Sequence, residues 1–198
     1  MKKVIVAVIG LLCFTPTAFA YNWGVGLHGG VSQNDPDYIG IVDKLVSKNY
    51  GVFGIEGFYE RNASFELSDG EEFLGIKIGI DLYGKNKLKL PSVQATENTY
   101  AIPLTIYYKN NLESENISSF IGIGLTQINS EVKISGAENI SKTKIFPHIA
   151  VGAEYRLNWL VALGVEIKYN FDAEVKKNGN VLSDRSGIGG AVTARFYF

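Results

Sequence analysis

The chain has 198 residues, 46% of them hydrophobic, 12% aromatic and 20% charged, with a formal net charge of −1. That is one domain's length, and the near-neutral balance excludes the basic field that holds nucleic acid. One Cys and two His exclude a disulfide scaffold and a multi-cysteine zinc module, and neither a metal site nor a cofactor is expected.

Residues 1–20 read as a secretory signal peptide. Lys2 and Lys3 form a positive start, Val4 to Phe14 is an apolar run too short to span a bilayer, and Ala18-Phe19-Ala20 is an A-x-A cleavage site. Lipidation at Cys13 is disfavoured, because Leu11 and Leu12 stand where a small residue is required. Residues 21–198 would form the mature domain, without Cys and with charge 17 − 20 = −3 once both leader lysines are lost.

From Tyr21 onward the signal is alternation with period two. In chain order, the apolar rows are Trp23 to Val31, Phe53 to Tyr59, Leu74 to Leu82, Tyr100 to Tyr108, Ile121 to Leu125, Ile145 to Leu157, Trp159 to Phe171 and Ile188 to Phe198, each taken at every second position. The seventh is the clearest: Trp159, Val161, Leu163, Val165, Ile167, Tyr169 and Phe171 oppose Leu160, Ala162, Gly164, Glu166, Lys168 and Asn170. Leu157-Asn158 reads as a tight hairpin connection between the sixth and seventh rows. Segments 32–49, 84–98, 130–144 and 172–186 read as long polar loops, with Val132 and Ile134 extending one hairpin and Asn178-Gly179 forming a turn within another.

About ten residues per strand suffices to cross a bilayer when the strand is tilted. The polar rows favour a barrel over a soluble sandwich. They are rich in Gly and Ala, with single charges at mid-strand: Glu56, Lys77, Asp81, Glu154, Arg156, Glu166, Lys168 and Arg195. Four acids and four bases among small residues suit a narrow interior that pairs its own ions. The expected fold is therefore all-β: a transmembrane, antiparallel, up-and-down barrel of eight strands with both termini periplasmic. Ten strands is the alternative. Gly54–Tyr59 echoes Gly164–Tyr169, and if both run outward, Tyr38–Ser47 and Lys87–Gln94 must be strands as well.

Several motifs carry a resemblance. They are the Gly152-Ala-Glu-Tyr155 run with its short hairpin, the Ile102-Pro103-Leu104 to Tyr107-Tyr108 strand, and the terminal Arg195-Phe196-Tyr197-Phe198. With the signal peptide, they make the chain resemble the small outer-membrane β-barrels of Gram-negative bacteria, of the outer membrane protein A and opacity-protein type. The resemblance implies residence in the cell outer membrane among lipid and lipopolysaccharide. It implies an assembly signal at Phe196 and Phe198 for the barrel-assembly machinery, with Thr193 departing from the Gly common there. It also implies a structural, surface-antigen or adhesin-like role, and it brings no catalytic residue.

Gly24-Val-Gly26-Leu-His-Gly29 spells a dinucleotide fingerprint but lies inside a strand with no helix after it, so the glycines are read as interior spacers. His28 and His148 point inward near the outer ends of their strands, and no Ser or Asp is evidently placed beside either. Arg195 is expected against Glu56, Glu154 or Glu166. Phe58, Tyr83, Phe120 and Tyr197 also point inward, so a plugged lumen is expected rather than a pore. A narrow channel and a lipid A-modifying enzyme are the rival readings. Host or envelope partners belong on the four loops, where Lys85, Lys87 and Lys89 could meet lipopolysaccharide phosphates.

Overall fold

The fold is taken from a computed structural model of the chain. The structure describes residues 21–34, 49–63, 65, 67, 70–84, 86–90, 93–111, 116–134, 139–177 and 180–198. The predicted signal peptide, Tyr38–Ser47 and the Asn178-Gly179 turn lie outside these residues.

The strands are β1 (Tyr21–Asn34), β2 (Asn49–Ala63), β3 (Glu72–Tyr83), β4 (Asn86–Leu90), β5 (Val93–Asn111), β6 (Ile117–Ile134), β7 (Ile140–Arg156), β8 (Val161–Asn170), β9 (Glu174–Lys177), β10 (Asn180–Asp184) and β11 (Gly187–Tyr197). Eight of them, β1, β2, β3, β5, β6, β7, β8 and β11, form a closed antiparallel barrel. Each pairs with its neighbours in chain order, and β11 closes on β1 from Gly24↔Tyr197 to Asn34↔Gly187. Closure leaves no unpaired edge around the ring, so every ladder bond there is made inside the protein.

Tyr21 and Phe198 lie at one rim, where Phe198 N donates to Trp23 O at 2.8 Å. This terminal rim carries the connections 64–71, 112–116 and 157–160. The opposite loop rim carries 35–48, 84–92, 135–139 and 171–186.

The alternation is realised in every barrel strand. Ile, Val and Leu rows face outward and are exposed; Ile123 is 67% exposed in the middle of its strand. In water this continuous apolar belt would far exceed the few hundred Å² a soluble monomer tolerates. A soluble sandwich would bury these rows against a second sheet; here the inward rows hold the buried residues instead. The belt has a visible upper limit on β5, β6 and β7. Its rows run Tyr108–Ile121–Val151, Ile106–Ile123–Ile149 and Leu104–Leu125–Pro147. Beyond Ile102–Gln127–Ile145 the face turns polar, and Thr143 Oγ1 donates to Asn129 Oδ1 at 2.7 Å. The β6–β7 ladder continues past the belt to Val132↔Ile140.

Three expectations need correction. The ten-strand alternative fails: β2 runs toward the terminal rim and β8 away from it, so Gly54–Tyr59 and Gly164–Tyr169 are antiparallel in direction despite their similar residues. Lys87–Gln94 is not an extra barrel strand, because β4 and the start of β5 form a hairpin that prolongs β3. Segments 84–98, 130–144 and 172–186 are therefore not simple loops, since they contain β4, the ends of β5, β6 and β7, and the β9–β10 hairpin. From Leu82↔Tyr100 to Asn86↔Glu97 one side advances four residues and the other three, a one-residue bulge. That bulge shifts the side-chain phase and hides the continuation from a period-two reading.

The tight Leu157-Asn158 connection is also longer than expected. Residues 157–160 form the turn, with Leu157 N donating to Val161 O at 2.9 Å. Asn158 Oδ1 accepts from the backbone N–H of Leu160 at 2.8 Å and of Val161 at 2.9 Å. An Asn side chain that caps its own turn is the usual device here. Trp159 thus stands in the turn rather than in a strand, 76% exposed at the terminal rim.

Candidate functional site

The candidate site is the barrel interior. Its geometry follows from where the inward glycines fall. Gly26 on β1 pairs with Glu56 on β2 and Arg195 on β11. Having no side chain, it lets those two meet across it, and Arg195 Nε donates to Glu56 Oε1 at 2.8 Å. Three other pairs repeat the device. Gly54 lies between His28 and Asp81, whose Nε2 and Oδ1 are 2.9 Å apart. Gly75 lies between Glu60 and Tyr107, and Tyr107 Oη donates to Glu60 Oε1 at 2.8 Å. Gly124 lies between Thr105 and His148, whose Oγ1 and Nε2 are 2.9 Å apart. A Cβ at Gly54 would sit 2.3 Å from the His28 ring and one at Gly75 would sit 2.3 Å from the Tyr107 ring, so these contacts need the missing atom.

Toward the terminal rim, four carboxylates (Glu56, Glu60, Glu154, Glu166) surround three cations (Lys77, Lys109, Arg195). Arg195, 1% exposed, pairs with Glu56 and Glu154 and lies 4.0 Å from Glu166, so all three partners named for it face it. Lys77 pairs with Glu166 and lies 3.5 Å from Glu56. Lys109 lies 3.0 Å from Glu60 and 3.2 Å from Glu154, and it donates to Tyr197 Oη at 2.9 Å. Tyr197 Oη in turn donates to Glu154 Oε2 at 2.9 Å. Phe58 packs edge-on to Tyr197 at 4.9 Å and Phe120 to Tyr107 at 5.8 Å. The carboxylates thus have hydrogen-bonded partners, and rings occupy the space between them, as a buried ionic cluster requires.

Arg156, expected in the ion network, lies elsewhere. Its guanidinium sits over the Tyr197 ring, 4.4 Å from the centroid, and among the described residues this cation–π contact stands where an ion pair was expected. Two members were not anticipated. Glu60 and Lys109 each extend an inward row one step past the segment read as strand, so the same parity, carried further, locates them.

The middle of the lumen holds a small chamber, lined among others by His28, Asp81, Thr105, Lys168, Asn170 and Thr193. Its volume is about 50 Å³. Asp81, fully buried, receives Lys168 Nζ at 2.9 Å as well as facing His28. The expectation that no Asp stands beside either histidine is therefore overturned for His28, because Gly54 opens a path that residue spacing alone conceals. His148 is held by two hydroxyls, Thr105 Oγ1 on Nε2 and Thr126 Oγ1 on Nδ1 at 2.8 Å. Among the described residues, no group of three or more His, Cys, Asp and Glu could hold a metal.

At the loop rim, Tyr50, Tyr83, Ala101, Ile128, Phe146 and Ala173 form a small apolar core inside the barrel. Arg185 lies against it and donates to Glu97 Oε1 at 2.9 Å. Neither Glu97 nor Arg185 was anticipated. Glu97 continues the inward row of β5, but Arg185 belongs to no barrel strand and nothing in the local pattern marks it. At the C-terminus, Phe196 faces outward and the Phe198 ring lies 4.9 Å from that of Trp23.

A closed, eight-stranded barrel with an apolar exterior and an ion-paired interior is the context for comparison with known proteins. The family model for the outer membrane protein beta-barrel domain matches residues 4–196. The chain belongs to that family. As an outer-membrane β-barrel, it resides in the cell outer membrane, and its apolar belt faces lipid. Ail, the attachment invasion locus protein of Yersinia pestis, solved in complex with the heparin analogue sucrose octasulfate, is 10% identical, with a TM-score of 0.58 over 90% of this chain and 99% of that one. Neisserial surface protein A is 17% identical, with a TM-score of 0.52 over 90% and 96%. The N-terminal barrel domain of Pseudomonas aeruginosa OprF is 12% identical, with a TM-score of 0.51 over 88% and 97%. At these identities the likeness is one of fold. No curated protein matches the chain.

Proposed function

We propose that this outer-membrane barrel presents its loop-rim segments, 32–49, 84–98, 130–144 and 172–186, at the cell surface as a surface antigen or adhesin does. Both termini lie in the periplasm, and the lumen is closed to solutes by its own side chains. The supporting observation is the layer around Arg195, where the carboxylates Glu56 and Glu154 and the rings of Phe58 and Phe120 all lie against one guanidinium. An eight-stranded barrel has an interior just wide enough for such side chains to fill. Function then falls to the segments that leave the barrel, where partners differ with sequence.

The partners in this reading are lipopolysaccharide, met by the loop lysines 85, 87 and 89, and a host or envelope molecule at the loop rim. The heparin analogue bound to Ail makes polyanionic glycans one class to test. Phe196 and Phe198 serve as the signal read by the assembly machinery. The protein is not an enzyme in this reading: the bonding of His28 to Asp81 and of His148 to two threonines favours structural roles. Planar-bilayer recording of the purified protein tests the closed lumen. No steady unitary openings are expected; reproducible openings from pure protein would overturn it.

A further inference from the structure

Arg185 is completely buried, yet it lies in the 171–186 segment, outside the barrel strands. Backbone and side-chain bonds dock it beside the barrel. Its N–H donates to Ala173 O at 3.2 Å, its carbonyl accepts from Asn170 Nδ2 at 3.1 Å, and Ala173 N donates to Ser186 Oγ at 2.8 Å. The guanidinium then enters a pocket where Tyr50, Tyr83, Glu97 and Thr99, all on β2, β3 and β5, lie against it. Its carbon lies 3.4 Å above the Tyr50 ring centroid and 5.0 Å from that of Tyr83. Nη2 donates to Glu97 Oε1 at 2.9 Å and to Thr99 Oγ1 at 3.4 Å. The receiving carboxylate is already oriented, since Thr99 Oγ1 at 2.9 Å and Ser130 Oγ at 3.4 Å both donate to it.

A carboxylate facing two aromatic rings suits a planar guanidinium, which can stack and donate at once; a lysine ammonium has no plane to stack. The seat belongs to β2, β3 and β5, which are paired into the barrel. The group filling it is carried by a segment with a separate two-stranded sheet of its own, β9–β10. Seat and occupant are therefore separable. Tyr83 and Asn170, both touched by Arg185, also line the lumen chamber.

We propose that Tyr50, Tyr83, Glu97 and Thr99 form a guanidinium-binding seat at the loop rim, and that Arg185 occupies it as a latch closing the chamber on that side. The latch is independent of the Arg195 layer at the other rim. Conductance reports on that layer; entry into the chamber reports on the latch.

The test uses the full chain with Cys13→Ser and a single reporter, Thr193→Cys, deep in the chamber. The rate at which a charged methanethiosulfonate modifies this thiol is measured on purified, folded protein. Arg185→Ala should raise the rate by about tenfold or more, as expected when a locally closed state loses its anchor. Millimolar guanidinium chloride should return the rate toward the parent value, whereas equal potassium chloride should not, and Arg185→Lys should stay fast. Equal rates in the parent and Arg185→Ala would overturn the latch. Equal effects of guanidinium and potassium would overturn the seat. If Arg185→Ala does not fold, Tyr50→Leu keeps the arginine and removes its stacking face. Faster labelling there supports the proposal, and an unchanged rate overturns it.

Discussion

Replacing Arg195 by Met should be among the most damaging single changes in this barrel. Arg195 is 1% exposed and pairs with Glu56 and Glu154. Among the described residues, its loss leaves Glu56, Glu60, Glu154 and Glu166 paired with Lys77 and Lys109 alone. Breaking a buried pair by removing one partner costs about 3–5 kcal/mol, because the remaining charge is uncompensated. Lys77, 3.5 Å from Glu56, and Lys109, 3.2 Å from Glu154, soften this toward the lower end. Glu154→Gln is the informative control. It leaves three carboxylates with three cations and keeps an amide oxygen for Tyr197, so it should cost only about 1.5–3 kcal/mol, the range of a lost charged hydrogen bond. In the double variant the two costs should not add; the second change should recover about 1–2 kcal/mol of the first. Urea unfolding in lipid vesicles, followed by Trp23 and Trp159 fluorescence and by the mobility difference between boiled and unboiled protein, supplies all four corners of the cycle. Arg195→Met within about 1 kcal/mol of the parent, or strict additivity with Glu154→Gln, would refute the charge-counting argument.

Further outcomes follow from the same geometry. Ile123, between Ile106 and Ile149 in the outer belt, should tolerate Leu, but Arg there should cost about 2–4 kcal/mol in vesicle unfolding if the row lies near the bilayer midplane. Gly54→Val should cost about 1–3 kcal/mol by overpacking. Most of that should vanish in a His28→Ala background, because the new Cβ would lie 2.3 Å from the His28 ring and 2.8 Å from Asp81 Oδ1; an equal cost in both backgrounds would refute the spacer role. His28→Ala and His148→Ala should leave the lipid A mass spectrum of the host cell unchanged, and a shifted spectrum in either would reopen an enzymatic reading.

Parity could be read from residues because lipid and lumen impose opposite demands on alternate positions. Leu163, Val165 and Ile167 meet one medium while Gly164, Glu166 and Lys168 meet the other, so the face of each barrel side chain was legible. Partners were not. Which Glu meets Arg195 depends on strand register, and register emerges only when the ring closes. The His28–Asp81 contact depends on Gly54 between them, a coincidence of three strands that no single segment displays. Glu60 and Lys109 were within reach, since each continues an inward row by one step. The β4 hairpin was hidden by a bulge that breaks phase. Arg185 was beyond reach altogether, because a polar connection with no period carries no sign that one of its side chains turns back into the barrel.

Site-directed spin labelling along β8 probes the two-sided character of the wall most directly. Labels placed one at a time from Leu163 to Tyr169, in vesicle-embedded protein whose unboiled mobility confirms folding, should collide freely with oxygen at 163, 165, 167 and 169. They should be shielded from it at 164, 166 and 168. Loss of that two-residue rhythm, or ready access of a water-soluble nickel chelate to Val165, would mean that the Leu, Val and Ile rows do not lie in hydrocarbon.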